Sequence, residues 1–239
     1  MCANSIKIML KRIDGKIIPY EYNYYFAINF YEKLFLYNNL IRKIHDPESY
    51  SLHTFSNIIS KKVNSGLNGL DIPEGFIIFR SLDSRLINYL RLGLSLNPVI
   101  KIINTKYIAT RIYNWKELDD KNEFYFRTLS PVVVKDFNSG KLYVEDPIEV
   151  ENNLLKVTLW QLENLFNIKN SELDIKINNV KRKSVRISSK PNGIYKTVGF
   201  ELEGKIKGDP NALKVIYYRG LGSKTGLGLG MIEVKNNEN

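Results

Sequence analysis

The chain has only two histidines, His45 and His53, among its 239 residues. Imidazole has an unperturbed pKa of about 6.5, so it can take or give a proton near neutral pH. Such proton transfer typically accelerates a reaction by ~10²–10⁴-fold. His45 stands directly before Asp46-Pro47, at the end of a helical pattern, and His53 lies in the strand-like stretch that follows. Each also has a structural alternative, a helix cap for His45 and a partly buried strand position for His53.

Metal chemistry finds little support in the residue types. Cys2 is the only cysteine, which excludes an internal disulfide and a cysteine-rich zinc site. Asp46 and Glu48, close to His45, are not a convincing metal pair, because two hard ligands on one turn are commonplace. We therefore predict neither a metal ion nor another cofactor.

The chain is basic, with 35 Lys and Arg against 25 Asp and Glu and a net charge of +10. Such a balance favours polyanions, namely nucleic acid, an acidic lipid surface or an acidic protein. Seven bases and no acid fall between Ile175 and Phe200: Lys176, Lys181, Arg182, Lys183, Arg186, Lys190 and Lys196. This run predicts a phosphate-contacting stripe, with a solvated strand face as the alternative.

A glycine-rich segment runs from Gly220 to Gly230, with five glycines in eleven residues. Glycine is costly to order, and it lets the backbone approach a phosphate closely or take positive φ angles. A P-loop would need Gly-Lys-Ser/Thr, and a dinucleotide fingerprint would need a helix and strands afterwards. Neither is present, so an RNA-contacting loop and a tight structural loop remain.

The first half alternates between two periodicities. The run from Ile6 to Lys11 has the two-residue period of a half-buried strand, whereas Tyr24, Ile28, Tyr31 and Phe35 mark one face of a helix. Strand-like runs then follow at 52–59 and 76–80, a helix capped by Asp83, and strands at 99–103 and 107–112. This order, β-α-β-β-α-β, predicts a ferredoxin-like unit.

The second half repeats the pattern less clearly. Charged residues at 116–123 suggest a boundary, so we predict domains at 1–119 and 120–239. Strands are expected at 124–135 and 141–144, a helix at 149–166, and strands at 173–181, 185–188, 195–207 and 213–218. The predicted fold class is α+β, with two tandem ferredoxin-like domains and a C-terminal glycine-rich loop.

Two classes of protein are disfavoured by the sequence. No stretch without charged residues exceeds twelve, which is too short to cross a membrane as a helix. The first residues lack the apolar core of a signal peptide. We therefore expect a cytoplasmic protein with no membrane partner.

Several motifs together resemble a known family. The segment from Gly220 to Gly230 resembles the C-terminal glycine-rich signature of the CRISPR-associated RAMP superfamily, and in particular the Cas6 endoribonucleases. Three weaker motifs occur in the family's order: Ile18-Pro19-Tyr20 with Asn23-Tyr24-Tyr25, then Thr128-Leu129-Ser130-Pro131-Val132, then Asn192-Gly193-Ile194-Tyr195. The resemblance covers most of the chain.

The resemblance implies an endoribonuclease that cuts CRISPR precursor RNA within each repeat to release guide RNAs, without a metal ion. In that reaction the 2′-hydroxyl attacks the adjacent phosphate and leaves a 2′,3′-cyclic phosphate. Family position favours His45 for proton transfer, Tyr31 as a catalytic tyrosine and His53 as a second proton donor. Packing on the helix face is the alternative for Tyr31, whose unaided pKa of about 10 makes it a poor base.

One departure from the family pattern concerns the positively charged side chain that would stabilise the transition state. Related members place a lysine shortly after the histidine, and Ser51 falls nearest to that position here. Lys43, Lys61 and Lys224 are possible substitutes.

Tyr20, Tyr22, Tyr24 and Tyr25 are candidates for stacking on bases, with core packing favoured for Tyr24.

The expected partner is CRISPR repeat RNA. We expect phosphate or close backbone contacts from Lys181, Arg182, Lys183, Arg186, Lys190, Gly222, Ser223, Lys224, Gly226 and Gly228. Effector-complex proteins and a second copy of the chain are further possible partners. A non-catalytic repeat-binding subunit and a general basic RNA-binding protein are the alternative functions.

Overall fold

The computed structural model describes residues 3–34, 51–137, 142–169, 172–189 and 193–235. His45 and Lys43, and also Lys190, lie outside these residues. The first half contains β1 (Ser5–Asp14), α1 (Tyr22–Leu34), β2 (His53–Phe55), β3 (Asn64–Gly66), β4 (Gly69–Asp71), β5 (Glu74–Ser81), α2 (Ser84–Leu96), β6 (Val99–Ile102) and β7 (Thr105–Asn114).

The first sheet is antiparallel, in the order β2-β5-β1-β7-β6. Ile6, Ile8 and Leu10 of β1 are buried, so alternate side chains of this strand form the core face, as the two-residue period predicted. Asp83 caps α2, since its carboxylate accepts a hydrogen bond from the backbone N–H of Arg85. The predicted strand at 52–59 is shorter than expected, because only His53–Phe55 pairs continuously with β5.

Helix α1 buries a different stripe from the predicted one. Phe26, Phe30 and Leu34 are at most 2% exposed, whereas Tyr24 and Tyr31 are only half-buried. The half-buried side of the helix faces the short 3₁₀ turn Thr225–Leu227, which contacts α1. Helix α1 therefore packs against both the core of the first half and the 3₁₀ turn. The spacing of apolar residues in the sequence could not show which side chains face which of these two surfaces.

The second half contains β8 (Glu123–Thr128), α3 (Val150–Phe166), β9 (Asp174–Ser189), β10 (Gly193–Lys207), α4 (Pro210–Arg219) and β11 (Ile232–Lys235). Its antiparallel sheet has the order β11-β8-β10-β9. The sequence of elements is again β-α-β-β-α-β. The predicted pair of tandem ferredoxin-like units is confirmed. The predicted boundary at 119/120 lies in the stretch between β7 and β8.

Several predictions in the second half were wrong. The strand expected at 124–135 ends at Thr128, and in place of the one expected at 141–144 the described residues show only an isolated bridge between Tyr143 and Lys135. The strand expected at 213–218 belongs to α4, which Asp209 caps by accepting from the backbone N–H groups of Asn211 and Ala212. The β-forming residues of this stretch also have helical spacing, with Leu213, Ile216 and Tyr217 buried on one side. The expected strands at 173–181 and 185–188 form one strand, β9, because the bases between them do not interrupt its pairing with β10.

Each half has its own large apolar core. One cluster includes Ile8, Phe30 and Leu90, and the other includes Phe126, Leu154 and Leu213. Among the described residues, no helix is both long and apolar enough to span a membrane. The glycine-rich segment connects α4 to β11 and lies where the two halves meet, so it is central to the candidate site.

Candidate active site and RNA-binding cleft

The glycine-rich segment, residues 220–230, is built for close packing. Gly220, Gly222, Gly228 and Gly230 all have φ between 73° and 90°, a region that favours glycine. A Cβ at Gly228 would lie 2.3 Å from a carbon of the Phe55 ring, and one at Gly222 would lie 2.5 Å from the carbonyl oxygen of Val133. These glycines therefore allow the segment to contact both halves of the chain.

Hydrogen bonds hold the segment in place. Thr54 donates its hydroxyl to the carbonyl of Leu229 at 3.1 Å, and the Asn23 amide donates to the carbonyl of Gly228 at 3.1 Å. From the second half, the Gln161 amide donates to the carbonyl of Gly222 at 3.1 Å. Just beyond the segment, buried Arg80 donates to the carbonyl of Ile232 at 2.6 Å. The segment is thus tied to β2, α1 and α3.

Tyr31 and Ser51 contact this segment at Gly226. A Cβ at Gly226 would lie 2.8 Å from Ser51 Oγ and 3.2 Å from the Tyr31 hydroxyl. Burial raises the pKa of Tyr31 to about 12, so its hydroxyl is protonated at pH 7. Tyr31 is therefore equipped to donate a hydrogen bond rather than to act as a base. We call Tyr31, Ser51, His53 and residues 220–230 the seam.

His53 is enclosed within the seam. It is 2% exposed, stacks on Phe79 at 5.2 Å between ring centroids, and places Nδ1 3.2 Å from Ser51 Oγ. Burial lowers the pKa of His53 to about 4, although a hydrogen bond to the backbone of Gly226 acts in the opposite direction. The ring is therefore neutral at pH 7, and it packs between Phe79 of β5 and the glycine-rich segment.

The candidate cations are placed differently. Lys224 is exposed at the start of the 3₁₀ turn that contains Gly226. Lys61 instead lines a groove with Lys7 and Phe76 on the sheet face of the first half. Of the two candidate lysines within the described residues, Lys61 and Lys224, it is Lys224 that belongs to the seam. Within the described ranges, no group of three His, Cys, Asp or Glu side chains could hold a metal ion.

A cleft of about 390 Å³ lies beside the seam, between the two halves. Leu227 and Leu229 of the glycine-rich segment form part of its wall. Tyr20, Glu21 and Asn23 line the side that belongs to the first half, and Lys183, Arg186 and Lys196 line the opposite side. We call this space the cleft.

Charges in the cleft are only partly paired. The Arg186 guanidinium lies 5.5 Å from the Tyr20 ring centroid and 3.9 Å from Glu21 Oε2. Lys183 Nζ lies 3.1 Å from a carboxylate oxygen of Glu201. Three cations face two carboxylates here, so the cleft has a net positive lining, and it is open enough to admit a ligand.

The structure separates the RNA-binding residues predicted from the sequence. Lys183 and Arg186 line the cleft, while Lys181 and Arg182 are exposed on β9 outside it. Gly222, Gly226 and Gly228 are buried, Ser223 is half-buried and donates its N–H to Val133, and Lys224 is exposed. Lys196 joins the cleft because β10 pairs it with Arg186.

Glu21 and Asn23 were not selected from the sequence as site residues. Asn23 belongs to a motif that carried the family resemblance, and this was the available signal for it. Glu21 had no such signal, because only the fold reveals that this carboxylate is 7% exposed.

Comparisons with known proteins agree with this architecture. Residues 17–113 match the family model described as CRISPR-associated protein Cas6, N-terminal, and residues 114–234 match CRISPR associated protein Cas6, C-terminal. The CRISPR-associated endoribonuclease Cas6 of Pyrococcus furiosus is 29% identical over 230 residues, which cover 92% of this chain and 85% of the relative. The CRISPR-associated endoribonuclease Cas6 1 of Methanocaldococcus jannaschii is 25% identical and covers 98% of this chain and 95% of its own.

Solved structures show the same fold. The product of a Cas6-related gene from Pyrococcus furiosus superposes with a TM-score of 0.83 at 25% identity, covering 99% of this chain and 100% of that one. A RAMP protein described as binding different RNA substrates has a TM-score of 0.82 at 22% identity, covering 97% and 99%.

Proposed function

We propose, because the chain belongs to the CRISPR-associated Cas6 family, that it is an endoribonuclease that cleaves CRISPR repeat RNA. The relatives from Pyrococcus furiosus and Methanocaldococcus jannaschii are named as endoribonucleases. The observation that carries the proposal is the position of the cation-lined cleft directly beside the seam, which holds Tyr31. RNA bound in the cleft would pass close to a protonated phenol and an exposed lysine.

The proposed reaction is metal-independent transesterification. The ribose 2′-oxygen attacks the adjacent phosphorus while the bond from phosphorus to the 5′-oxygen breaks. The 2′-hydroxyl proton goes to a base, and an acid gives a proton to the leaving 5′-oxygen, so the products are a 2′,3′-cyclic phosphate and a 5′-hydroxyl. His45 is the residue proposed for proton transfer, because its ordinary pKa of about 6.5 suits both steps.

The remaining roles follow from the contacts in the seam. Tyr31 donates a hydrogen bond to the phosphate, because its raised pKa keeps the hydroxyl protonated. Related members would have a lysine near position 51 to supply positive charge, and Lys224 takes this role here. Its side chain is exposed, and it belongs to the segment that contacts Tyr31. The buried ring of His53 is a weaker candidate for direct proton donation than His45.

RNA binding is proposed for the cleft and its surroundings. Lys183, Arg186 and Lys196 contact phosphates in the cleft, and Lys181 and Arg182 extend the basic surface along β9. Ser223 and Lys224 are the accessible polar residues of the glycine-rich segment. Association with effector-complex proteins, or with a second copy of the chain, belongs to the same proposal.

A cleavage assay on the repeat RNA tests this function. We expect cutting at one position in the presence of EDTA, with 2′,3′-cyclic phosphate on the upstream product. A 2′-deoxy substitution at the nucleotide before the cut should abolish cleavage, because it removes the attacking oxygen. His45→Ala should lose cleavage by ~10²-fold or more while its Kd for the repeat stays near the wild-type value. Cleavage that requires a divalent metal would contradict the mechanism.

A non-catalytic repeat-binding subunit is the second candidate. It draws support from His53, the only histidine among the described residues, because this ring is buried and its pKa is lowered to about 4. Like an active enzyme, a binding subunit would bind the repeat RNA in preference to scrambled RNA. It would not cleave the RNA. The same labelled RNA in one binding assay and one cleavage assay therefore separates the two functions.

A further inference from the structure

We propose that the cleft reads one unpaired guanine, with Glu21 and Asn23 accepting hydrogen bonds from the Watson–Crick edge of the base. The inference rests on the proposed function, since it assumes that RNA occupies the cleft. It adds a base-selective site to a surface that would otherwise bind only phosphates. Single-stranded bases are commonly recognised by hydrogen bonds to this edge together with stacking.

Two buried acceptors in the cleft lack hydrogen-bond partners. Glu21 is 7% exposed, and its Oε2 has no hydrogen bond within the described part of the chain; the same holds for Asn23 Oδ1. The guanidinium of Arg186 approaches Glu21 Oε2 only to 3.9 Å, which is beyond hydrogen-bond distance. A buried acceptor without a hydrogen bond is unfavourable, so a ligand donor that moves the surrounding groups aside would satisfy both enclosed atoms.

The orientation of the Asn23 amide is determined by its neighbours. Its Nδ2 donates to Oδ1 of Asn57 at 2.8 Å and to the carbonyl of Gly228 at 3.1 Å. A flipped amide would place its oxygen against these two acceptors, which is unfavourable. Oδ1 of Asn23 is therefore fixed as an acceptor, and its position is linked directly to the glycine-rich segment.

The rest of the cleft suits a nucleotide. Its volume of about 390 Å³ falls within the ~300–1,000 Å³ usual for small-molecule sites. Tyr20 is 42% exposed, and the part of its ring that the Arg186 guanidinium does not cover offers an aromatic surface for stacking. Lys183, Arg186 and Lys196 stand opposite Glu21 and Asn23, where they can neutralise the flanking phosphates.

Guanine fits this arrangement better than the other bases. Two acceptors require two N–H donors, and guanine presents N1–H and its 2-amino group side by side. Uracil has one N–H between two carbonyl oxygens, and these would face the Glu21 carboxylate unfavourably. Adenine and cytosine each present a single amino group beside a ring acceptor. The cleft should therefore select for guanine and select most strongly against uracil.

Inosine substitution in the repeat RNA tests the proposal, because inosine lacks only the 2-amino group. Each repeat guanine is replaced in turn, and Kd is measured by filter binding for wild type, Glu21→Gln and Glu163→Gln. At one position inosine should weaken wild-type binding about 10-fold. Glu21→Gln should bind the unmodified repeat about 10-fold more weakly and no longer distinguish inosine there. Glu163→Gln is the matched control, since Glu163 is exposed on α3 outside the cleft.

The opposite results would overturn the proposal. If Glu21 only restrains Arg186, its neutralisation should tighten binding to every RNA and leave the inosine effects unchanged. A repeat in which no guanine is sensitive to inosine would also exclude base reading. Glu21→Asp keeps the charge but shortens the reach, so it should lose the inosine discrimination without a general gain in affinity; retained discrimination contradicts the proposal.

Two controls separate this inference from the proposed function. Thermal unfolding of each variant should match wild type, which confirms that the fold is intact. If the wild-type protein neither prefers nor cuts the repeat, the proposed function fails first. If the protein cuts the repeat with no dependence on Glu21 or inosine, only the guanine site fails.

Discussion

The seam and the cleft lie side by side, yet they are built from opposite kinds of interaction. The seam is nearly closed. His53 and Ser51 are satisfied by each other and by backbone, and Thr225 Oγ1 is the buried side-chain oxygen that lacks a hydrogen bond among the described residues of the seam. The cleft is open, is lined by three cations, and keeps two acceptors unsatisfied. The difference suggests that the seam fixes geometry and the cleft provides affinity, so substitutions in the two regions should have separable effects.

The largest effect on stability is expected for Gly228→Ala in the seam. The added Cβ would lie 2.3 Å from a Phe55 ring carbon, at a φ of +74° that alanine adopts unfavourably. Overpacking and the left-handed backbone together should cost ~3 kcal/mol of unfolding free energy, measured by urea denaturation. Gly66→Ala is the matched control, because its nearest neighbour would be 3.9 Å away and its φ is not positive. Equal stability of the two variants would contradict the tight packing of the seam.

A second prediction for the seam concerns pH. Because burial lowers the pKa of His53 from 6.5 to about 4, the unfolded chain binds the proton first as pH falls. Stability should therefore be fully present above pH 6.5 and decline as pH falls towards 4, by up to ~3 kcal/mol. Urea titrations at several pH values check this trend. His53→Gln should remove this contribution, and an unchanged pH slope in that variant would refute the assignment.

Substitutions in the cleft should alter RNA binding while leaving stability nearly constant. Replacing Lys183, Arg186 and Lys196 together by alanine should reduce the slope of log K against log salt by ~2, because each phosphate contact to single-stranded RNA contributes ~0.7. Filter binding at several salt concentrations measures the slope. Lys181→Ala with Arg182→Ala, on β9 outside the cleft, should reduce it less. Equal changes for the two sets would show that charge along the strand matters more than the cleft.

Much of the fold could be predicted because local patterns agree with tertiary packing. The alternation at Ile6, Ile8 and Leu10 predicted β1, and Asp83 predicted the start of α2. Helix α4 was missed because Val215, Ile216, Tyr217 and Tyr218 favour strands, although the cap at Asp209 and Pro210 was visible in the sequence.

The site was harder to predict, because it depends on contacts between distant parts of the chain. Gly226 meets Tyr31 and Ser51 across more than 170 residues, and no local pattern encodes that distance. The pairing of Arg186 with Lys196 follows from strand register, and the burial of Glu21 follows from the apposition of the two halves. The types of residue at the site could therefore be predicted from the sequence. Which of these residues would form the seam and which the cleft could not.

The packing of residues 220–230 against β2 and α1 has a consequence for synthesis on the ribosome. The first half has its own apolar core and can begin to fold while translation continues. Tyr31 and Ser51 nevertheless gain their neighbour Gly226 only after that residue has emerged from the exit tunnel. A nascent chain would thus be able to cleave RNA only after nearly all of the described residues have been synthesised.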